Sequence, residues 1–361
     1  MRTGRRASRF IRQFAGPGDG SGILCFKFWQ LVAAGGCPYS CAYCFLQTTP
    51  WFRFSPDVLR GLVYTNVDEM LHELDGWLAD PVPKMLLVGE LQDGLAFDQA
   101  YEKTSGRPLT HRLIPRFAAQ RRHRMIFLTK STAIDRAIQL PPTDRVVFSW
   151  SVNADDVARR WERGAPRPAE RFAAAQRMKA AGWPVRLRLD PMIPYCDWRV
   201  GYAATVDMIN CIYPEAVTLG ALRATTPGAL RAAARANGRD DTIFDYFTRT
   251  RDPSGFKYRI AHEVQVEMFR FVLDRLAPGI TSALCKEDRS LWRELGLPFR
   301  GCHCLIGPED ALVARGEPQR RPPSRLSALP PPCPGPAPRR MVARGGQGGG
   351  ARAVPLRAAG R

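Results

Sequence analysis

Short apolar runs alternate with stretches of helical spacing along most of this chain. Ile23–Ala34, Lys84–Val88, Met125–Leu128, Arg145–Val152, Val185–Ile193 and Ala216–Gly220 each hold enough consecutive apolar residues to predict a strand, and several read as buried on both faces. Between them, Asn66–Leu78 places Val67, Met70, Leu71, Leu74, Trp77 and Leu78 at helical intervals behind a capping Asn66. Arg112–Gln120, Pro168–Ala181 (closing at Gly182) and Trp198–Ile212 predict further helices. Alternation of this kind predicts an α/β fold with a parallel sheet and helices outside it. A curved, open barrel fits, and so does a doubly wound sheet. After the sixth run, Thr225–Tyr258 is irregular and reads as a substrate-facing insertion, followed by an amphipathic helix at Glu263–Leu276, a strand at Ile280–Cys285 and a helical turn at Leu291–Leu295.

Charge divides the chain further. The formal net charge of +19 over 361 residues is concentrated at the ends. Residues 1–13 carry five arginines and no acid, and residues 318–361 carry nine arginines, ten prolines and seven glycines, again without an acid. Setting these aside leaves about +5 for the body, a mild excess compatible with a polyanionic partner. The organisation predicted is a basic flexible arm (1–22), a partial barrel (23–224), a C-terminal α/β extension with a substrate or auxiliary role (225–317) and a disordered Pro/Gly/Arg-rich tail (318–361). Neither a secretory leader nor an apolar run of membrane-spanning length is evident, which predicts a cytoplasmic protein with no membrane partner.

Cys37, Cys41 and Cys44 then stand out as C-x3-C-x2-C directly after the first predicted strand. Three thiolates suit a [4Fe–4S] cluster that keeps one iron free of protein ligands. A zinc knot, which wants four ligands, and chance cysteines are the alternatives. A second group, Cys285, Cys302 and Cys304 with His303, reads either as a further metal site or as packing thiols. Arg186, Arg188 and Asp190 alternate on the fifth predicted strand, either as a salt-bridge ladder or as the polar interior of a barrel.

The cysteine spacing is that of the radical SAM superfamily, and Gly36-Cys37 through Cys44-Phe45-Leu46-Gln47-Thr48-Thr49 resembles the cluster loop of the spore photoproduct lyase family. The resemblance extends over residues 23–220 and implies a partial (β/α)6 TIM-like barrel of radical SAM type with a C-terminal extension. It implies a [4Fe–4S] cluster and S-adenosylmethionine as cofactors, and an electron donor such as flavodoxin or ferredoxin. It also implies hydrogen abstraction from a substrate such as a DNA or nucleotide base, in the service of DNA repair. A peptide or small-metabolite substrate and a non-catalytic iron–sulfur binding protein are the competing readings. Glu90 after the second strand would accept from the cofactor's amino group, and Lys130 after the third would pair with its carboxylate. Ser151 and Asn153 at the fourth would hydrogen-bond its ribose or carboxylate, and Tyr43 would shield the cluster.

Two positions depart from that family. Its relay cysteine after the second strand is matched here by Glu90, and its tyrosine after the third cluster cysteine by Phe45. Neither side chain has a weak S–H or phenolic O–H bond to offer a carbon radical. The departure predicts that spore photoproduct itself is not turned over at the rate of a true lyase, unless Cys196, after the fifth strand, serves as a relocated donor.

Overall fold

The computed structural model describes residues 2–14, 16, 21–25, 28–48 and 61–298. Its centre is an eight-stranded sheet: β1 (Ile11–Gln13), β2 (Trp29–Leu31), β3 (Met85–Val88), β4 (Arg124–Thr129), β5 (Val146–Ser151), β6 (Val185–Met192), β7 (Ala216–Ala221) and β8 (Thr281–Leu284), lying side by side in chain order. All neighbouring pairs are parallel except β1 with β2. Parallel neighbours need crossovers, and helices supply most of them. These are α1 (Val67–Leu78), α2 (Asp98–Ser105), α3 (Thr110–Ala118), α4 (Asp155–Trp161), α5 (Pro168–Ala180), α6 (Trp198–Ile212), α7 (Pro227–Ala236) and α8 (His262–Leu273); a last short helix, α9, covers Arg289–Glu294. No helix among the described residues is long and apolar enough to cross a membrane.

Strand alternation sorts side chains onto two faces. Leu86, Val88, Met125, Phe127, Phe148, Trp150, Leu187 and Leu189 face the helices and join one extensive core. Phe28, Met85, Leu87, Ile126 and Val147 form a smaller apolar cluster of their own on the inner face. The same face also carries charge at both ends of the strands. Arg186 pairs with Glu215 at 3.0 Å, and Arg188 pairs with Asp190 at 2.7 Å. The charged face of β6 is thus both an ion-pair ladder and the lining of the sheet's concave side.

The basic N-terminal segment is not the solvated arm that its composition predicts. Arg2–Gly4 pairs with Leu62–Tyr64, and β1 completes the edge of the main sheet. Phe10 and Ile11 are buried, and their amides donate to the Glu73 carboxylate at 2.8 and 2.9 Å. An apolar pair flanked by arginines suits an edge strand, where one row of side chains packs and the other stays in water. The first predicted strand also differs. Ile23–Ala34 contains Ile23–Leu24, which pairs antiparallel with Glu287–Asp288, then β2, then Ala34–Gly35, which pairs with Leu62–Tyr64. An apolar run does not distinguish one long strand from several short pieces serving different sheets. Here the first piece joins the two edges of the barrel. Residues 302–304 and 318–361, which carry the second cysteine group and the predicted tail, lie outside the described residues.

Candidate active site

The cysteine loop emerges from Ala34–Gly35 and is tied down from several directions. Ser40–Cys41 pairs with Glu162–Arg163, and the Ala42 amide donates to the Trp161 carbonyl at 2.7 Å. The Cys44 amide closes a turn onto the Cys41 carbonyl at 3.1 Å, while the Gln47 side chain donates to that same carbonyl at 2.7 Å. Arg239, just beyond α7, donates to the Ser40 carbonyl at 3.0 Å and to Gln47 Oε1 at 3.1 Å. All three cysteines line one cavity of about 590 Å³, which also takes in Tyr43, Glu90, Lys130 and Ser151.

Among the described residues, no three His, Cys, Asp or Glu side chains converge as a single metal ion requires, and no histidine lines the cavity. A tetrahedral zinc site is therefore a poor fit. Three soft thiols spread along one wall suit the wider footprint of an iron–sulfur cluster. Burial pushes all three thiols above their usual range, Cys41 to about 12, so binding as thiolates calls for positive charge brought to the loop.

Behind the loop is a buried polar network. The Tyr43 hydroxyl donates to Glu162, which is also bound by Arg171 and lies 3.4 Å from Lys130 Nζ. Burial would raise the Glu162 carboxyl, but Lys130 and Arg171 overcome it and hold it at about 2. Lys130 Nζ donates to Ser151 Oγ at 2.9 Å, which aligns the two at the ends of β4 and β5. The backbone amide of Lys130 donates to Asp93 at 2.7 Å, and the hydroxyl of Thr129 donates to the other Asp93 oxygen at 2.6 Å. Asp93 thereby ties the loop after β3 to the end of β4. Gly89 makes that approach possible: at φ +130°, a Cβ there would stand 2.2 Å from the Leu128 carbonyl oxygen.

Glu90 pairs with Lys286 at 3.4 Å, joining the end of β3 to the residue two past β8. Burial acts to raise Glu90, yet Lys286 and Arg188 pull it below the ordinary carboxylate range. Asp190 accepts from Arg188 at 2.7 Å and from Arg223 at 2.9 Å. Gly220 permits this packing, since a Cβ there would fall 2.5 Å from Asp190 Cγ.

Two expected site residues stand elsewhere. Asn153 is buried past the end of β5, donating to the Pro191 carbonyl at 2.8 Å and accepting from Tyr202 Oη at 2.8 Å. It does not line the cavity. Its amide fastens the end of β6 to α6, because the chain leaves strand geometry before reaching it. Cys196 is exposed, with its thiol 3.6 Å from the Asp197 carboxylate, and is likewise absent from the lining. Cys285 is buried and accepts from Arg188 at 2.7 Å, the part of a packed, hydrogen-bonded thiol. Missed from the sequence are Asp93, Glu162, Arg171, Arg223, Lys257 and Lys286. A lysine immediately after a buried strand, as at Lys286, is the one signal that would have pointed to any of them.

A sequence model of spore photoproduct lyase matches residues 28–221, more than half of the chain. The chain belongs to the spore photoproduct lyase family. The matched stretch of this radical SAM family holds the whole cysteine loop, together with Glu90, Lys130 and Ser151 of the cavity wall, while Lys257 and Lys286 lie beyond it. The chain is 26% identical over 198 residues to the spore photoproduct lyase of Bacillus subtilis (strain 168), covering 52% of this chain and 53% of that one. It is 26% identical over 183 residues to that of Geobacillus sp. (strain Y412MC61), 48% of each. The chain thus spans about half the length of the curated relatives it matches. A solved spore photoproduct lyase complexed with dinucleoside spore photoproduct superposes with a TM-score of 0.62 at 19% identity, over 78% of this chain and 80% of that one. A variant lyase with bound AdoMet and dinucleoside spore photoproduct gives 0.56 at 20%, over 72% and 75%. These likenesses establish the shared fold, a TIM-like barrel.

Proposed function

We propose that this protein is a radical SAM enzyme acting on a nucleic acid or nucleotide base. Cys37, Cys41 and Cys44 would hold a [4Fe–4S] cluster, and S-adenosylmethionine would bind beside it. The observation that carries the reading is the convergence of the three thiols, the Lys130–Ser151 pair and Glu90 on one cavity. When bound, cluster and cofactor together supply an electron and a 5′-deoxyadenosyl radical able to take hydrogen from carbon.

The chain's own residues bind and orient. Lys130 Nζ and Ser151 Oγ form a two-donor cradle for the cofactor carboxylate. Glu90, kept ionised by Lys286 and Arg188, accepts from the cofactor's amino group. Glu162 stays anionic and, with Arg171, fixes Tyr43 behind the loop. Residues 225–298 contribute an extension that supplies Lys257 and Lys286 to the cavity wall. An electron donor such as flavodoxin or ferredoxin and a cytoplasmic setting go with this reading. A DNA-repair role rests on the family and on the mild basic excess of the body.

The test is anaerobic reconstitution with iron and sulfide, then dithionite and S-adenosylmethionine, with chromatography for 5′-deoxyadenosine. Formation by the wild type and its loss when all three cysteines become alanine support the proposal. Formation undiminished in that variant contradicts it.

A further inference from the structure

The cysteine loop is fastened by a side chain from far along the chain. Helix α7 ends in a glycine turn: the Gly238 amide donates to the Arg235 carbonyl at 3.0 Å, Gly238 takes φ +58°, and the Arg239 amide returns to the Ala234 carbonyl at 2.9 Å. That turn carries Arg239 to the loop. A single nitrogen, Nη1, donates to the Ser40 carbonyl at 3.0 Å and to Gln47 Oε1 at 3.1 Å. With its oxygen so held, the Gln47 side chain donates through Nε2 to the Cys41 carbonyl at 2.7 Å and to the Ala42 carbonyl at 3.3 Å. Backbone bonds from Cys44 to Cys41 and from Gln47 to Cys44 carry the grip on to the third cysteine.

Charge adds a second reason for this arginine. Both acceptors of Arg239 are neutral oxygens, and no carboxylate among the described residues pairs with it. Burial and Arg163 act against its charge, while the thiols of Cys41 and Cys44 act in its favour. Lys130 and Arg171, the other cations that act on Cys41, are already engaged by Glu162. A half-buried guanidinium beside a second arginine is held at a cost that negative charge in the loop relieves. Three thiolates carrying an iron–sulfur cluster would bring that charge, and reduction of the cluster would add to it.

We infer that Arg239 is a positioning residue of the cluster site: it clamps the cysteine loop through Ser40 and Gln47, and its charge favours the reduced cluster. It stands beyond residues 28–221, the stretch shared with the family model, so the C-terminal extension takes part in holding the cluster. The inference rests on the reading of Cys37, Cys41 and Cys44 as cluster ligands, and the experiment separates the two.

Two measurements on the full-length protein test it. Hydrogen–deuterium exchange on the cluster-free protein reads the clamp alone. Loss of a hydrogen bond from a charged donor corresponds to at least about a 10-fold change in an opening equilibrium, so Arg239→Met should speed exchange across residues 40–48 by about that factor. Potentiometric titration of the reconstituted protein, followed by electron paramagnetic resonance, reads the charge. Arg239→Met should lower the ratio of reduced to oxidised cluster about tenfold, a fall of about 59 mV for one electron. Both bonds come from one nitrogen, so the ammonium of Arg239→Lys should restore most of both effects. Arg235→Met, which removes a cation of α7 bound to Asp241 at 2.7 Å, should change neither. Exchange unaltered in Arg239→Met overturns the clamp. A potential that is unmoved in Arg239→Met, or equally lowered in Arg239→Lys, overturns the charge role. An Arg239→Met protein that melts normally yet takes up no cluster, with uptake restored in Arg239→Lys, supports the inference. Faster exchange in Arg239→Met, in a protein whose wild type takes up no cluster, upholds the clamp while refuting the cluster reading.

Discussion

Removing the Glu162 carboxylate tests the network behind the cysteine loop. Its side chain is fully buried and contacts Tyr43, Lys130 and Arg171, so its loss strands two cations and a hydroxyl. The carboxyl falls from an ordinary 4.5 to about 2, equivalent to about 3 kcal/mol of preference for the ionised form in the folded state. Breaking a buried ion pair by deleting one partner costs about 3–5 kcal/mol, a similar figure reached independently. Glu162→Gln, which keeps the shape, should therefore lower the unfolding free energy by about 3 kcal/mol, a large part of the usual 5–15 kcal/mol. The folded pKa lies below the unfolded one. The contribution is therefore complete above about 4.5 and lost as pH falls toward 2. Urea unfolding of the cluster-free protein at pH 7 and at pH 3.5 measures both effects. The difference between wild type and Glu162→Gln should shrink at the lower pH. Adding Arg171→Met should recover part of the loss, because the orphaned guanidinium is gone. A Glu162→Gln cost below about 0.5 kcal/mol at pH 7, or a double variant no more stable than the single, would refute this reasoning.

Other outcomes follow from the same geometry. Lys130→Met should weaken S-adenosylmethionine binding by about 10- to 150-fold in equilibrium dialysis of reconstituted protein, with little change in the far-ultraviolet dichroism. Gly220→Ala should lower the thermal midpoint through about 1–3 kcal/mol of overpacking against Asp190, whereas alanine at the open Gly228 should not. Supplied with dinucleoside spore photoproduct, reduced enzyme should form 5′-deoxyadenosine without stoichiometric thymine release, and Cys196→Ala should leave both yields unchanged. Multiple clean turnovers abolished by Cys196→Ala would show that the exposed thiol reaches the substrate after all.

Strands β3 to β7 were legible because each carries enough apolar residues to be buried in a sheet; their alternation with helices gave a parallel α/β sheet, and only the family resemblance chose the TIM-like barrel over a doubly wound sheet. The cysteine loop was legible because its chemistry lies within eight consecutive residues, Cys37 to Cys44. What was hidden has identifiable causes. The N-terminal segment looked like a solvated arm because five arginines outweigh Phe10 and Ile11 in composition, although those two residues decide its placement. Asn153 lies off the cavity lining because the strand, and with it the period of two, ends at Ser151. Arg171 sits in the helix predicted over Pro168–Ala181 and Glu162 just past α4, and only the pairing of Glu162 with Cys41 reveals what they serve. Lys257 and Lys286 reach the cavity from more than two hundred residues after the cysteine loop, a proximity that local patterning does not encode.

The central claim is a three-cysteine cluster with an iron open to S-adenosylmethionine, and it is tested most directly by electron paramagnetic resonance with metal and sulfide counts on the anaerobically reconstituted, dithionite-reduced protein. The account predicts about four irons and four sulfides per chain. It also predicts a reduced-cluster signal that shifts on adding S-adenosylmethionine and is absent when Cys37, Cys41 and Cys44 are replaced by alanine. A single bound ion per chain, or a cluster signal that S-adenosylmethionine leaves unchanged, would contradict it.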